Sequence, residues 1–195
     1  LNSTNKWATE YNYDGNGNIL KHRRSGDSTV LWTMDSLTYY YYEGTNQLKY
    51  VHDGSASGNY NVDIDNQTDT NNYVYDAIGN LTGDDAEGIQ KIKWNVYGKI
   101  ESIKFTGASG KPDLVFGYDA MGNRISKKVM PQSAGDTITT YYVRDATGNT
   151  MATYLRKGYT ASDTLRLSEQ HIYGSSRLGM VSTSLLLSEQ LDTSN

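Results

Sequence analysis

The sequence predicts an all-β chain of repeated antiparallel β-hairpins, and three observations carry that expectation. A short phrase recurs along the chain: an aromatic residue, an acidic residue, two spacers, then Gly-Asn. The residues flanking each copy alternate with a period of two, which is the side-chain period of a strand. The composition combines 19 Gly and abundant Asn, Asp, Ser and Thr with only 2 Pro. Turn formers are therefore plentiful, while residues that break a sheet ladder are rare.

The first copy, Tyr13-Asp14-Gly15-Asn16-Gly17-Asn18, follows the alternating Trp7, Thr9, Tyr11 and Tyr13. A looser copy comes next, Tyr42-Glu43-Gly44-Thr45-Asn46, and after it the clear copy Tyr75-Asp76-Ala77-Ile78-Gly79-Asn80. Trp94-Asn95-Val96-Tyr97-Gly98-Lys99 keeps the spacing with Asn in place of the acid, and it follows Ile92 and Trp94 in alternation. Tyr118-Asp119-Ala120-Met121-Gly122-Asn123 follows Leu114 and Phe116, and Val143-Arg144-Asp145-Ala146-Thr147-Gly148-Asn149 is the last of the six. Asp can accept bonds from backbone amides two residues on, and Gly supplies the positive φ of a longer hairpin loop. Each phrase is therefore expected at a hairpin tip, its aromatic residue at the last paired position of the incoming strand. Rings of successive hairpins are expected to stack in a ladder along the sheet.

The marker positions from Asn18 to Asn149 are separated by 19 to 34 residues, so the period drifts. Polar inserts, such as Asn59 to Asn72 and Gly107 to Asp113, place that variation in the connections between hairpins. The stretch from Gly54 to Asn72 reads as a long loop with repeats on both sides, so one repeat region is expected over residues 1–180. Residues 181–195 lose the pattern and are left unassigned, with Leu185 to Glu189 open to a helical turn or a strand. The first residues carry neither a charged start nor an apolar stretch, and they read as the cut edge of a longer chain.

Bulk properties restrict the functions. Hydrophobic residues make up only 36% of the 195, yet 17 Tyr and 3 Trp supply rings that disordered chains lack. Eighteen Lys and Arg against 22 Asp and Glu give a net charge of −4, with no electrostatic footprint for nucleic acid. The absence of Cys excludes disulfides and thiolate metal sites. No apolar run approaches the roughly 18 residues of a membrane span, so no membrane span is expected.

Specific sites were weighed in turn. Asp63-Ile64-Asp65-Asn66-Gln67-Thr68-Asp69 alternates oxygen ligands, but a calcium loop needs Gly sixth and Glu twelfth, where Thr68 and Val74 stand. Asp14 to Asn18 fails the same test. His22, His52 and His171 are far apart, with no local ligand or triad pattern. Gly54-Ser55-Ala56-Ser57-Gly58 lacks the central Ser of a nucleophile elbow, and Ser109-Gly110-Lys111 lacks the upstream Gly of a phosphate loop. Lys21-His22-Arg23-Arg24 divides between two faces on a strand. No cofactor and no catalytic constellation is expected. Tyr39-Tyr40-Tyr41-Tyr42 must present rings to both faces of a strand, which makes it the expected ligand face if the chain binds one.

The chain resembles the YD-repeat (RHS-repeat) proteins of bacteria, which include polymorphic toxins, and the related YD shell of animal teneurins. The likeness spans about residues 7 to 180. Its most specific pieces are Tyr75 to Leu81, Trp94 to Ile100, Tyr118 to Ile125 and Tyr173-Gly174-Ser175-Ser176-Arg177-Leu178-Gly179, the last similar to the phrase that leads into the family's core region. The resemblance implies a long β-sheet spiralling into a hollow, secreted or cell-surface shell. In many bacterial members a C-terminal toxin lies inside, released by an autoprotease region that nothing in Val181 to Asn195 matches. The implied role is a non-catalytic, encapsulating segment whose partners are neighbouring repeats and a cargo domain of the same parent chain. The alternative is a cell-surface adhesive module that binds glycans through exposed tyrosines. A hydrolytic reading lacks convergent acid, base and nucleophile.

Overall fold

The computed structural model describes residues 7–26, 33–55, 64, 66–158 and 164–187. Among them it is all-β and antiparallel, apart from a single 3-10 turn at Gly107–Ser109. The chain divides into two compact units, residues 1–88 and 89–195.

The first unit carries β1 (Thr9–Tyr13), β2 (Ile19–Arg24), β3 (Asp35–Tyr41), β4 (Leu48–Asp53), β5 (Tyr73–Tyr75) and β6 (Leu81–Asp84). The second carries β7 (Ile89–Trp94), β8 (Ile100–Phe105), β9 (Asp113–Tyr118), β10 (Arg124–Met130), β11 (Ile138–Arg144), β12 (Thr150–Lys157), β13 (Thr164–Tyr173) and β14 (Arg177–Leu186). Strands β1 to β4 make one sheet and β5 to β14 another, each in chain order and neither closed. Val181 to Leu186 thus continue β14, while residues 188–195 lie outside the described residues.

Consecutive pairing sorts the connections by type. Among the described strands, six of the seven turns from an odd-numbered to an even-numbered strand are phrase copies, the seventh being Tyr173 to Arg177, and every return connection is of another kind. In a sheet wound in chain order, this puts the phrases at one end of the strands and the variable inserts at the other. The phrase hairpins also share a bulge. Tyr13 pairs with Ile19 but Asn12 with Lys21, leaving Leu20 unmatched; Ile125 and Met151 are skipped in the same way. A bulge re-aims a side chain, which explains why Leu20, Ile125, Met151 and Leu178 stand exposed beside well-formed ladders.

The core is thin. In the first unit Met34, Leu37 and Val51 are buried, together with Asp35, Asp53, Asn72 and Asp84. Buried polar groups need partners, and these have them. Asp35 pairs with Arg24 and accepts from the Ile64 amide at 2.9 Å. Asp53 accepts from the amides of Ser36 (2.8 Å) and Ser55 (3.0 Å). Asn72 donates to Asp84 at 2.9 Å and accepts from the Ala86 amide at 2.6 Å. In the second unit Ile92 is the buried hydrophobic residue among those described, with Thr153 the buried polar one.

Candidate functional site

The repeated feature of this chain is its hairpin tip, and one carboxylate organises it. In the third tip Asp76 Oδ1 accepts from the amides of Ile78 (3.0 Å) and Asn80 (2.9 Å), while Oδ2 accepts from the Asn80 side chain at 2.9 Å. The Asp76 amide donates to Asn80 O at 2.9 Å and the Gly79 amide to Asp76 O at 3.1 Å, closing the loop. Gly79 sits at φ +93°, where a side chain is disfavoured. The same bonds recur around Asp14, Asp119 and Asp145, and Asn95 makes the backbone set with its single oxygen.

These bonds stabilise the charged carboxylate. The Asn18 side chain holds Asp14 below its ordinary range, Asn80 does so for Asp76, and the Asn123 amide for Asp119. Asp145 falls furthest, to about 2, because the side chains of Asn149 and Thr147 both donate to it.

Two tips depart from the phrase. At the second tip Tyr41 holds the last paired position and Tyr42 stands where Asp belongs, one residue earlier than the sequence alignment placed them. Glu43 therefore caps nothing there. Thr45 substitutes, its hydroxyl donating to Tyr42 O at 2.9 Å and accepting from the Gln47 amide at 3.1 Å. At Tyr173 the loop tightens, with the Gly174 amide bonded to Ser176 O at 2.9 Å.

The aromatic residues do occupy the last paired positions, with Tyr13 opposite Ile19, Tyr75 opposite Leu81, Trp94 opposite Ile100 and Tyr118 opposite Arg124. The link between hairpins differs from the expected stack of rings. Tyr118 reaches back with its hydroxyl to Ile100 O at 2.9 Å, and Tyr173 to Thr150 O at 2.9 Å. Each accepting carbonyl belongs to the residue opposite the aromatic position of the preceding hairpin. Tyr41 does the same to Ile19 O at 2.8 Å. Arg144 takes the aromatic position in its own hairpin and performs the task with Nε, 3.0 Å from Arg124 O, while its other arm holds Gly148 O at 2.7 Å. Side-chain reach explains the choice. A phenol at the last paired position spans one interstrand gap to a carbonyl of the neighbouring strand.

The four consecutive tyrosines divide between the faces, as period two requires. Tyr40 stacks on Tyr50 at 4.4 Å, with planes 2° apart, and is 41% exposed. Tyr41 is bonded to Ile19, and Tyr42 donates to Tyr73 O at 2.9 Å under the Lys49 ammonium. Burial pushes the phenols of Tyr39 and Tyr41 up.

The remaining sequence candidates also have local roles. His22 stacks on Tyr11 at 4.2 Å, and His52 meets Asn66 Oδ1 at 2.7 Å. His171 lies 3.6 Å from Glu169, with no hydrogen bond to either ring nitrogen. Arg23 and Arg24 of the basic run turn to Thr33 and Asp35. Of the calcium-loop segment, Asp63 and Asp65 lie outside the described residues; Asn66 and Gln67 accept from the amides of Asp53 and Val51 on β4. Ala56 to Gly58 also lie outside them. Ser109 caps its own 3-10 turn through Thr106 O, and the Lys111 amide donates to its hydroxyl. Among the described residues no three His, Cys, Asp or Glu side chains converge on a metal position, and no helix is long and apolar enough to cross a membrane.

The sequence reading missed Arg144 as a stand-in aromatic, and its place before Asp145 was the available signal. It also missed the carboxylates at the opposite strand ends, of which Asp53 and Asp113 cap neighbouring amides. No family model matches the chain, and no curated protein matches it.

Proposed function

We propose that this chain is a non-catalytic wall segment of a secreted or cell-surface YD-repeat shell, which winds on beyond these strands to enclose or present a C-terminal toxin or effector domain of the same parent chain. The observation that carries this reading is the staple between hairpins. The tip bonds are local, while Tyr41, Tyr118, Arg144 and Tyr173 each reach a backbone carbonyl of the hairpin before. Such a unit adds identical neighbours without limit, as a wall must. Its thin core agrees, because a wall lined on both sides by side chains keeps an inner face for something else. The phrase carboxylates serve turns, and confinement is the work proposed for the sheet.

The test uses the parent protein with its downstream domain. In the intact parent, protease cuts that domain slowly; in a parent carrying both Asp76→Ala and Asp119→Ala, the domain is cut at least about tenfold faster, an apparent opening of about 1.4 kcal/mol. Equal rates in the two parents would remove the enclosure reading.

A further inference from the structure

Within the second unit, one face of the sheet carries a groove of about 680 Å³ between the β7–β8 and β9–β10 tips. Its floor is Val115 and Gly117 of β9, and Tyr97, Lys99, Glu101 and Met121 rise around it. Gly117 is crowded by its own sheet. Its φ is not positive, and the bulge beside it does not require glycine, because Val74, Lys93, Val143 and Ile172 hold the equivalent place in other hairpins. There each side chain faces a small partner, Gly83, Ser102, Ala152 or Gly179; here Gly117 faces Ser126, and a side chain on Gly117 would meet Ser126 Oγ at 2.5 Å. Glycine inside a strand marks close approach by another group, and at Gly117 that group is the serine opposite it.

The rim carries two exposed apolar side chains. Tyr97 is 82% exposed and Met121 75%, at spacer positions where the turn chemistry accepts any residue. The charges are unequal in their freedom. Lys93 is neutralised by Glu101 at 2.7 Å, and Asp119 is held by its turn amides and lies in the field of Arg144. Lys99 has no carboxylate partner among the described residues.

From these observations we propose that the groove binds an acidic saccharide, with a pyranose face on the Tyr97 ring and Met121 and the carboxylate on Lys99. An aromatic platform beside a free cation matches a ring that has an apolar face and a negative substituent. An extended peptide is the poorer fit, since β8 and β9 are paired on both sides and offer no free backbone row for strand addition. This site is independent of the shell reading, and it lies away from the Tyr39 to Tyr42 face.

The test is calorimetric titration of the full chain with oligogalacturonate, oligomannuronate and hyaluronan oligomers, neutral maltohexaose, and poly-glutamate. Saturable binding of at least one uronate oligomer is expected, about tenfold weaker with Tyr97→Ala and with Lys99→Gln, and at least tenfold weaker for maltohexaose. Both substituted residues are exposed, and an unchanged circular dichroism spectrum verifies that the variants fold. Absence of saturable binding to all three uronates, binding indifferent to both substitutions, or poly-glutamate binding as tightly as the best uronate would each overturn the proposal.

Discussion

At the scale of single residues, the turn carboxylates set the acid response. Their folded pKa values lie below the ordinary 3.8, reaching about 2 at Asp145. A group depressed in the folded state contributes stability that is fully present above its unfolded value and is lost as pH falls through the folded one. The melting midpoint should therefore hold from neutral pH down to about 4 and then drop steeply toward pH 2. Thermal melts across that range check this, and a midpoint unchanged between pH 4 and 2 would show that the turn bonds do not stabilise the fold. Because Asn95 already builds a working tip with one oxygen, Asp119→Asn should lower the midpoint less than Asp119→Ala. In Asp119→Asn the acid-labile part of the melt should also shrink. Gly122 stands at φ +81°, where Ala is strained, so Gly122→Ala should destabilise by about 1 kcal/mol in urea titrations.

The hairpin is the element on which folding and function meet, and its chemistry was largely legible in the sequence. Asp-x-x-Gly-Asn specifies a turn through local bonds alone, so Asp76 and Asp119 announce their geometry without tertiary information. What joins one hairpin to the next was not legible. Whether Tyr118 stacks on a ring or donates to Ile100 O depends on the pairing of neighbouring strands, which leaves no mark in a period-two pattern. The second tip was misaligned by one residue for a related reason: a run of four tyrosines satisfies the aromatic rule at several registers. The packing of Ser126 against Gly117 joins residues 9 positions apart in sequence and acquires meaning only through pairing. The staple predicts energies. Tyr118→Phe keeps the ring and leaves the Ile100 carbonyl without its donor, so a loss of about 1 kcal/mol is expected. Tyr173→Phe should lose as much, and the double variant their sum, because the two bonds lie in separate hairpins. A double variant no weaker than either single one would mean that the staples do not act independently.

For the molecule as a whole, the governing fact is how little apolar surface the second unit hides. Ile92 is buried, but Ile103, Leu114 and Val129, aligned with it across neighbouring strands, are only half-buried, and Ile138 is exposed. A fold with few buried side chains has little stability to spare. Its last strand adds a second source of trouble. β14 runs ten residues, and between Leu178 and Leu186 it contains no Pro and no charged residue, the usual guards of a sheet edge. Among the described residues no strand covers its outer side. The isolated chain should therefore self-associate as its concentration rises, with β14 as the point of attachment. Met180 and Val181 are half-exposed neighbours whose side chains leave by opposite faces, so lysines at both positions place charge on each side of the edge. Sedimentation of Met180→Lys/Val181→Lys should show a smaller average mass than the natural sequence at the same concentration, while Leu20→Lys, also exposed but on an interior strand, should leave it unchanged. A natural chain that stays monomeric and melts in one cooperative step would show that eight strands and one buried isoleucine are sufficient by themselves.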